Sequence, residues 1–252
     1  MENIALEELA QLMGTRAHMY NMLSRAFVAE ADDEFIRQLR SMHFPQGTGS
    51  AATDSAYRQL YAYLRRPAES IIDDLAVDYA RTFLGVGTME SRAAFPFESV
   101  YTSEKGLLMQ EARDEVLAIY RAEGLEQTLN NPYNEGEDHL ALELLFLCAL
   151  AKRSQEALEA GDEAAAEACL LTQRNFMHDH VLNWALEWAA DVPKYAQLPF
   201  YPAFAQLTET FLREDAALLR ELVGAEEDDR AADDGADTTN EAAQETRHAK
   251  EA

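Results

Sequence analysis

Glu137-Asp138-His139-Leu140-Ala141-Leu142-Glu143-Leu144-Leu145-Phe146-Leu147-Cys148-Ala149-Leu150-Ala151 is the stretch from which the fold can be read. From Leu140 to Ala151 every residue but Glu143 is apolar. A membrane span needs roughly 20 apolar residues, so this run is too short to be one. A helix that is apolar on nearly all sides is the buried centre of a bundle. Asp138 stands where a carboxylate accepts backbone N–H groups and opposes the helix dipole. His139 and Glu143 are four apart and share one helical face. A buried carboxylate needs a partner, and His139 is the nearest in sequence, so the two are expected to form a structural pair.

Working outward, helical spacing recurs almost everywhere, and no window of strict apolar/polar alternation is long enough for a sheet. The spacing predicts about eight helices. The first runs from about Ile4 to Val28, and the second from Asp32 or Asp33 to near Met42. The third carries Tyr57, Leu60, Tyr61 and Leu64; the fourth opens at Pro67 and stops at Gly85. The fifth is expected from about Ser103 to Glu123, and the sixth, central one from His139 to about Ala160. The seventh is capped by Asp162 and continues to about Ala190; the eighth spans Phe200 to Val223. Between the fourth and fifth lies GVGTMESRAAFPFESVYT, residues 85–102, a long loop of the kind that is usually functional or disordered. Pro45 to Asp54 is a further loop, a hinge or a plain connector, and Asn130 to Asp138 another. The expected class is all-α: one helical-bundle domain over residues 1–223.

Residues 224–252 differ in composition. They hold ten acidic against three basic residues and no Val, Ile, Leu, Met or aromatic residue. Such a segment cannot bury enough surface to order itself, so a disordered acidic tail is expected. The whole chain carries a net charge of −25, and removing the tail's −7 still leaves −18 in the body. That balance argues against nucleic acid and anionic lipid, whose affinity comes from Lys and Arg, and favours a cationic partner. Cys148 and Cys169 are not spaced as a CxxC pair and read as reduced, buried thiols. The acidic N-terminus MENIALEELAQLMG has neither the basic region nor the cleavage site of a signal peptide, so a cytoplasmic location is expected.

Catalytic motifs are scarce. No P-loop, GxSxG or HExxH is present, and the GVG at Gly85 to Gly87 follows a helix rather than a strand. His178-Asp179 is a His-Asp dipeptide of the kind found in helical metal-dependent phosphohydrolases, with His139 and Asp215 as the further ligands such an enzyme would need. That enzyme, or a scaffold binding another basic protein through the acidic tail, is the alternative to the reading below.

Three segments in order carry a resemblance. They are Asp78-Tyr79-Ala80-Arg81-Thr82-Phe83-Leu84-Gly85, then Pro96-Phe97-Glu98-Ser99-Val100-Tyr101, then Glu135-Gly136-Glu137-Asp138-His139-Leu140 continuing to Leu147. Together they resemble the D-Y-x-R-x-F-x-G, P-[YFW]-E-S-V-Y and E-x-x-D-H motifs of the TorD/DmsD-like chaperones, also called redox enzyme maturation proteins. The likeness covers roughly residues 5–222. It departs at Gly136, where many members have Pro, and at Phe97, where some have Trp or Tyr.

The resemblance implies a non-catalytic protein without a cofactor or metal. It implies a chaperone that binds the twin-arginine leader, or the apo-form, of a molybdenum-cofactor oxidoreductase subunit and delays its export. Family members occur as monomers or exchanged dimers. Carried over by position, leader binding falls on Asp138 and His139, with Phe83, Leu84, Pro96 and Phe97 nearby. The chemistry agrees: two guanidinium groups followed by an apolar stretch call for carboxylates beside an apolar wall. Glu98, Glu137 and Asp138 are the candidate carboxylates; Phe83, Leu84, Phe95, Phe97 and Tyr101 are the candidate wall.

Overall fold

The computed structural model describes residues 6–89, 92–125 and 136–224. In chain order its helices are α1 (Leu6–Val28), α2 (Asp33–Ser41), α3 (Ala51–Leu64), α4 (Ala68–Leu84), α5 (Glu98–Thr102), α6 (Glu111–Ala122), α7 (Leu140–Glu159), α8 (Glu163–Phe176), α9 (Ala185–Tyr195) and α10 (Phe200–Val223). A π-helical turn, Met177–Val181, follows α8. No strand occurs among the described residues; the sole β-type pairing there is an isolated antiparallel bridge, Phe97 to His139. The all-α class is as read from the sequence. The acidic segment 225–252 and the loop residues 126–135 lie outside the described residues.

The apolar run forms α7 and sits at the centre. Leu140, Leu144, Phe146, Leu147 and Leu150 are all fully buried. α1 packs along one side of α7 and α8 along another; α10 closes against α3, α8 and α9. Short polar side chains fix the helix starts. Asp32 accepts from the Phe35 N–H at 2.8 Å, Ser50 from Thr53 at 3.2 Å and Asp162 from Ala165 at 3.0 Å. α4 ends at Gly85, whose φ of 72° is the left-handed value that lets the chain turn off the helix. Pro67 stands just ahead of α4, at the N-cap.

One buried ion pair crosses the bundle. The Arg16 guanidinium of α1 grips the Asp215 carboxylate of α10 with two bonds, of 2.5 and 2.8 Å, and the Tyr20 hydroxyl adds a third at 2.5 Å. The ion pair with Asp215 outweighs the desolvation that would otherwise lower the Arg16 pKa, and holds it above its usual value.

Two helices depart from the spacing. The expected fifth helix is interrupted: residues 103–110 are turn and bend, and only Glu111–Ala122 is helical after them. Gly106, at φ 59°, sits in that turn. The expected seventh helix is broken by the π-helical turn at Met177–Val181, and its last piece, α9, continues through Pro193 to Tyr195 instead of stopping near Ala190. Cys148 is buried as expected, whereas Cys169 is only half-buried; both are free thiols.

Candidate functional site

The second and third motif segments meet at the N-terminal end of α7. Two backbone hydrogen bonds staple these two together: Glu98 N–H donates to the Asp138 carbonyl at 3.0 Å, and Leu140 N–H to the Pro96 carbonyl at 2.9 Å. The first segment, on α4, is joined to the residues just ahead of the second by the Ala94 N–H, which donates to the Thr82 carbonyl at 2.8 Å. His139, not Asp138, caps α7, its ring Nδ1 accepting from the Ala141 N–H at 3.0 Å. Asp138 instead turns to α5, where its Oδ2 accepts from the Ser99 N–H at 3.0 Å and from the Ser99 hydroxyl. Its Oδ1 is buried and has no partner among the described residues. Gly136 fits because it lacks a Cβ, which would sit 3.1 Å from that Oδ1 and 3.4 Å from the Phe97 ring.

The expected side-chain pair between His139 and Glu143 is not formed. The two residues are joined only through the backbone, the Glu143 N–H donating to the His139 carbonyl at 3.1 Å. The capping bond uses Nδ1, and the ring lies edge-on to Phe97 at 4.8 Å. Glu143 accepts instead from the Trp184 indole N–H at 3.3 Å. Burial pushes the Glu143 carboxyl well above its usual range, reinforced by the nearby Glu98 and Asp138. Burial pushes His139 down to about 3, so its ring is neutral at physiological pH, as an accepting Nδ1 requires.

Glu98 opens α5 and is buried. Its carboxylate lies 3.2 Å from Nδ1 of His180 and accepts from the Asn183 amide at 2.8 Å. His180 belongs to the π-helical turn, an irregularity often found at functional sites. Tyr120 donates to the Glu137 carbonyl at 3.2 Å; burial and four surrounding carboxylates hold its pKa well above the ordinary tyrosine range.

The motif residues divide into buried and accessible ones. Asp138 and His139 are at most 1% exposed, Glu98 is 2% exposed and Phe83 1%, so none of the four faces solvent. Phe83 lies among Phe27, Tyr79, Trp188 and Tyr201. Pro96 is buried, and its carbonyl belongs to the staple. Leu84 is exposed, while Phe97, Phe95 and Glu137 are half-buried. Glu137 is ion-paired with Arg113 of α6 at 2.5 Å. Tyr101 donates to Asp191 at 3.3 Å and lies beside Trp184.

The first motif also has structural duties. Asp78 accepts from the Gln197 and Leu198 N–H groups at 2.7 and 3.2 Å, tying α4 to the turn before α10. Tyr79 donates to the Phe27 carbonyl at 2.8 Å. Arg81 donates to the carbonyls of Tyr195 and Gly87.

The residues of the alternative metal site do not come together. Asp215 is held by Arg16 and Tyr20, and His178 contacts its own neighbour Asp179 at 2.9 Å on the surface. Among the described residues no three His, Cys, Asp or Glu side chains converge as metal ligands. Ser99, Asp138 and His139 are neighbours, but the His139 Nδ1 is turned to its own helix, so they do not form an acid–base relay.

Residues 48–190 match the family described as nitrate reductase delta subunit, a span that contains all three motifs. The chain belongs to the nitrate reductase delta subunit (TorD) family. Its relatives include the chaperone protein TorD of Vibrio cholerae serotype O1 (strain ATCC 39541), 28% identical over 86% of this chain and 98% of the relative. The chaperone protein TorD of Photobacterium profundum is 26% identical over 85% and 98%. That of Shewanella pealeana is 26% identical over 81% and 89%. Within this TorD-family chain, sequence reasoning missed His180, Asn183 and Ser99 as partners of the motif acids. His180 directly follows the His178-Asp179 dipeptide, but the face it presents depends on the π-helical turn. No helix among the described residues is long and apolar enough to cross a membrane.

Proposed function

We propose that this protein is a cytoplasmic chaperone for a molybdenum-cofactor oxidoreductase subunit. It binds the subunit's twin-arginine leader or its apo-form and holds it until the cofactor is in place. Membership of the TorD family supports the chaperone class. The observation that carries the leader reading is the convergence of the second and third motif segments on one junction, stapled by the Glu98–Asp138 and Leu140–Pro96 backbone bonds. The rim of that junction offers an aromatic Phe97 and the Glu137 carboxylate to an incoming peptide, and Leu84, exposed at the end of α4, is a further apolar side chain open to it. Asp138, His139, Glu98 and the buried Pro96 act from beneath, setting the position of the rim, while Phe83 packs in the aromatic core among Phe27, Tyr79, Trp188 and Tyr201. A peptide guanidinium would compete with Arg113 for Glu137.

Calorimetric titration with a twin-arginine leader from a molybdoenzyme, at low and moderate salt, tests the reading. The expected result is a Kd of about 1 μM or tighter that requires both arginines and weakens with salt, because the chain's charge of −25 attracts a cationic peptide and ions screen it. Failure to bind any of several such leaders would overturn leader recognition and turn the assay to the mature apo-subunit.

A further inference from the structure

Residues 107–109 form an exposed apolar turn within the interrupted segment. Leu107 is 53% exposed, Leu108 44% and Met109 69%, three large apolar side chains in succession. Each is a good helix former, and the spacing places them inside a helix, yet the chain is unwound there. Met109 has φ 58°, and it is the sole non-glycine residue with positive φ among the described residues. A local choice that contradicts both propensity and burial marks a functional or strained place.

The turn is held in shape. Leu107 N–H donates to the Ser103 hydroxyl at 3.3 Å, and the Gln110 amide donates to the Leu108 carbonyl at 2.9 Å. Gln110 N–H donates to the Ser99 hydroxyl at 3.2 Å, and that hydroxyl donates in turn to Asp138. A chain of two hydrogen bonds therefore ties the turn to the junction. Exposed carboxylates flank it: Glu104 before, Glu111, Asp114 and Glu115 after. Of the two nearby cations, Lys105 is exposed and Arg113 is engaged by Glu137. An apolar knob with an acidic fringe fits a peptide in which basic residues adjoin an apolar segment.

We propose that Leu107, Leu108 and Met109 are the seat of the apolar segment of the leader peptide. The inference rests on the leader-binding reading and adds the surface that receives the part of the peptide beyond the arginines.

The test uses the full chain and two peptides: an intact leader, and one whose apolar segment is replaced by serines with both arginines kept. Leu107→Ser/Leu108→Ser/Met109→Ser is expected to weaken binding of the intact leader about tenfold. The serine peptide is expected to bind both proteins equally, and the salt dependence of both to be unchanged. If the wild type binds the intact leader and the triple variant binds it equally well, the seat is elsewhere while leader recognition stands. If the wild type binds no leader, both readings fall. If the wild type self-associates and the triple variant is monomeric with unaltered leader affinity, the turn is a contact between copies and the inference is overturned. Should the triple variant not fold, Leu108→Ser and Met109→Gly carry the test singly, each with an expected loss of about threefold.

Discussion

Asp138→Ala should destabilise the protein far more than Asp138→Asn. In the native state Oδ2 of Asp138 receives the Ser99 N–H at 3.0 Å and the Ser99 hydroxyl. Both are buried, so alanine leaves two donors without an acceptor at a cost of about 1–3 kcal/mol each. The hydroxyl can rotate to another acceptor, whereas the N–H is fixed by α5. Removal of a buried carboxylate whose Oδ1 has no partner offsets part of the loss. The net expectation is about 2–4 kcal/mol. Asparagine keeps an oxygen for Ser99 and puts an amide where the unpartnered Oδ1 stood, so its cost should stay below about 1 kcal/mol. Urea unfolding followed by circular dichroism measures both; the alanine midpoint should fall by about 1 M or more. Equal midpoints for the two variants, or an alanine variant within about 0.5 kcal/mol of wild type, would refute the assignment of Asp138 as the anchor of α5. The contrast matters for function, because loss of leader binding by Asp138→Ala would report a collapsed junction. Asp138→Asn is the variant that reports recognition.

Two further outcomes follow from the buried charges. The native His139 is neutral down to about 3, while in the unfolded chain it titrates near 6.5. Between those values the unfolded state binds a proton that the native state does not, so this residue makes stability fall as pH drops through that window. His139→Asn keeps a cap acceptor and removes the titration; its urea midpoint should change less than wild type between pH 7 and pH 5, and an identical change would refute the assignment. Arg16→Met should cost about 3–5 kcal/mol by stranding Asp215, and Arg16→Met/Asp215→Leu should recover most of it. A double variant no more stable than the single one, in denaturant melts, would mean that the pair is not the unit the geometry describes.

The parts of the fold legible in the sequence are those where burial and periodicity agree. The run Leu140–Ala151 declares α7, and Asp32, Asp162 and Gly85 mark helix ends by chemistry that is entirely local. The acids of the junction were legible as residue types, but not their partners. Asp138 reads as the cap of the helix that follows it, yet it serves α5, 39 residues earlier, because the backbone staple brings Ser99 within reach. Glu143 reads as the mate of His139 at helical spacing, yet the ring turns to its own backbone and Trp184 reaches in from across the bundle. Residues 103–110 read as helix because nothing in Leu107, Leu108 and Met109 opposes one. What opposes it is Gly106 just ahead of them, at φ 59°, together with the bond that draws Gln110 to Ser99.

The π-helical turn at Met177–Val181 can also be regarded as an insertion. Such a turn accommodates one residue more than an α-helix would, so the chain beyond it is rotated by about 100° from the phase set by α8. That offset aims His180 and Asn183 at Glu98 while Trp184 still reaches Glu143. Deleting a single residue there would remove that offset and leave every apolar residue of α8 in place, although the turn at 182–184, where Trp184 has φ −145°, would still separate α8 from α9. It would also swing the partners of Glu98 off the junction. A change in residue count, with no change in residue chemistry, is thus enough to connect this junction to the rest of the bundle or to disconnect it.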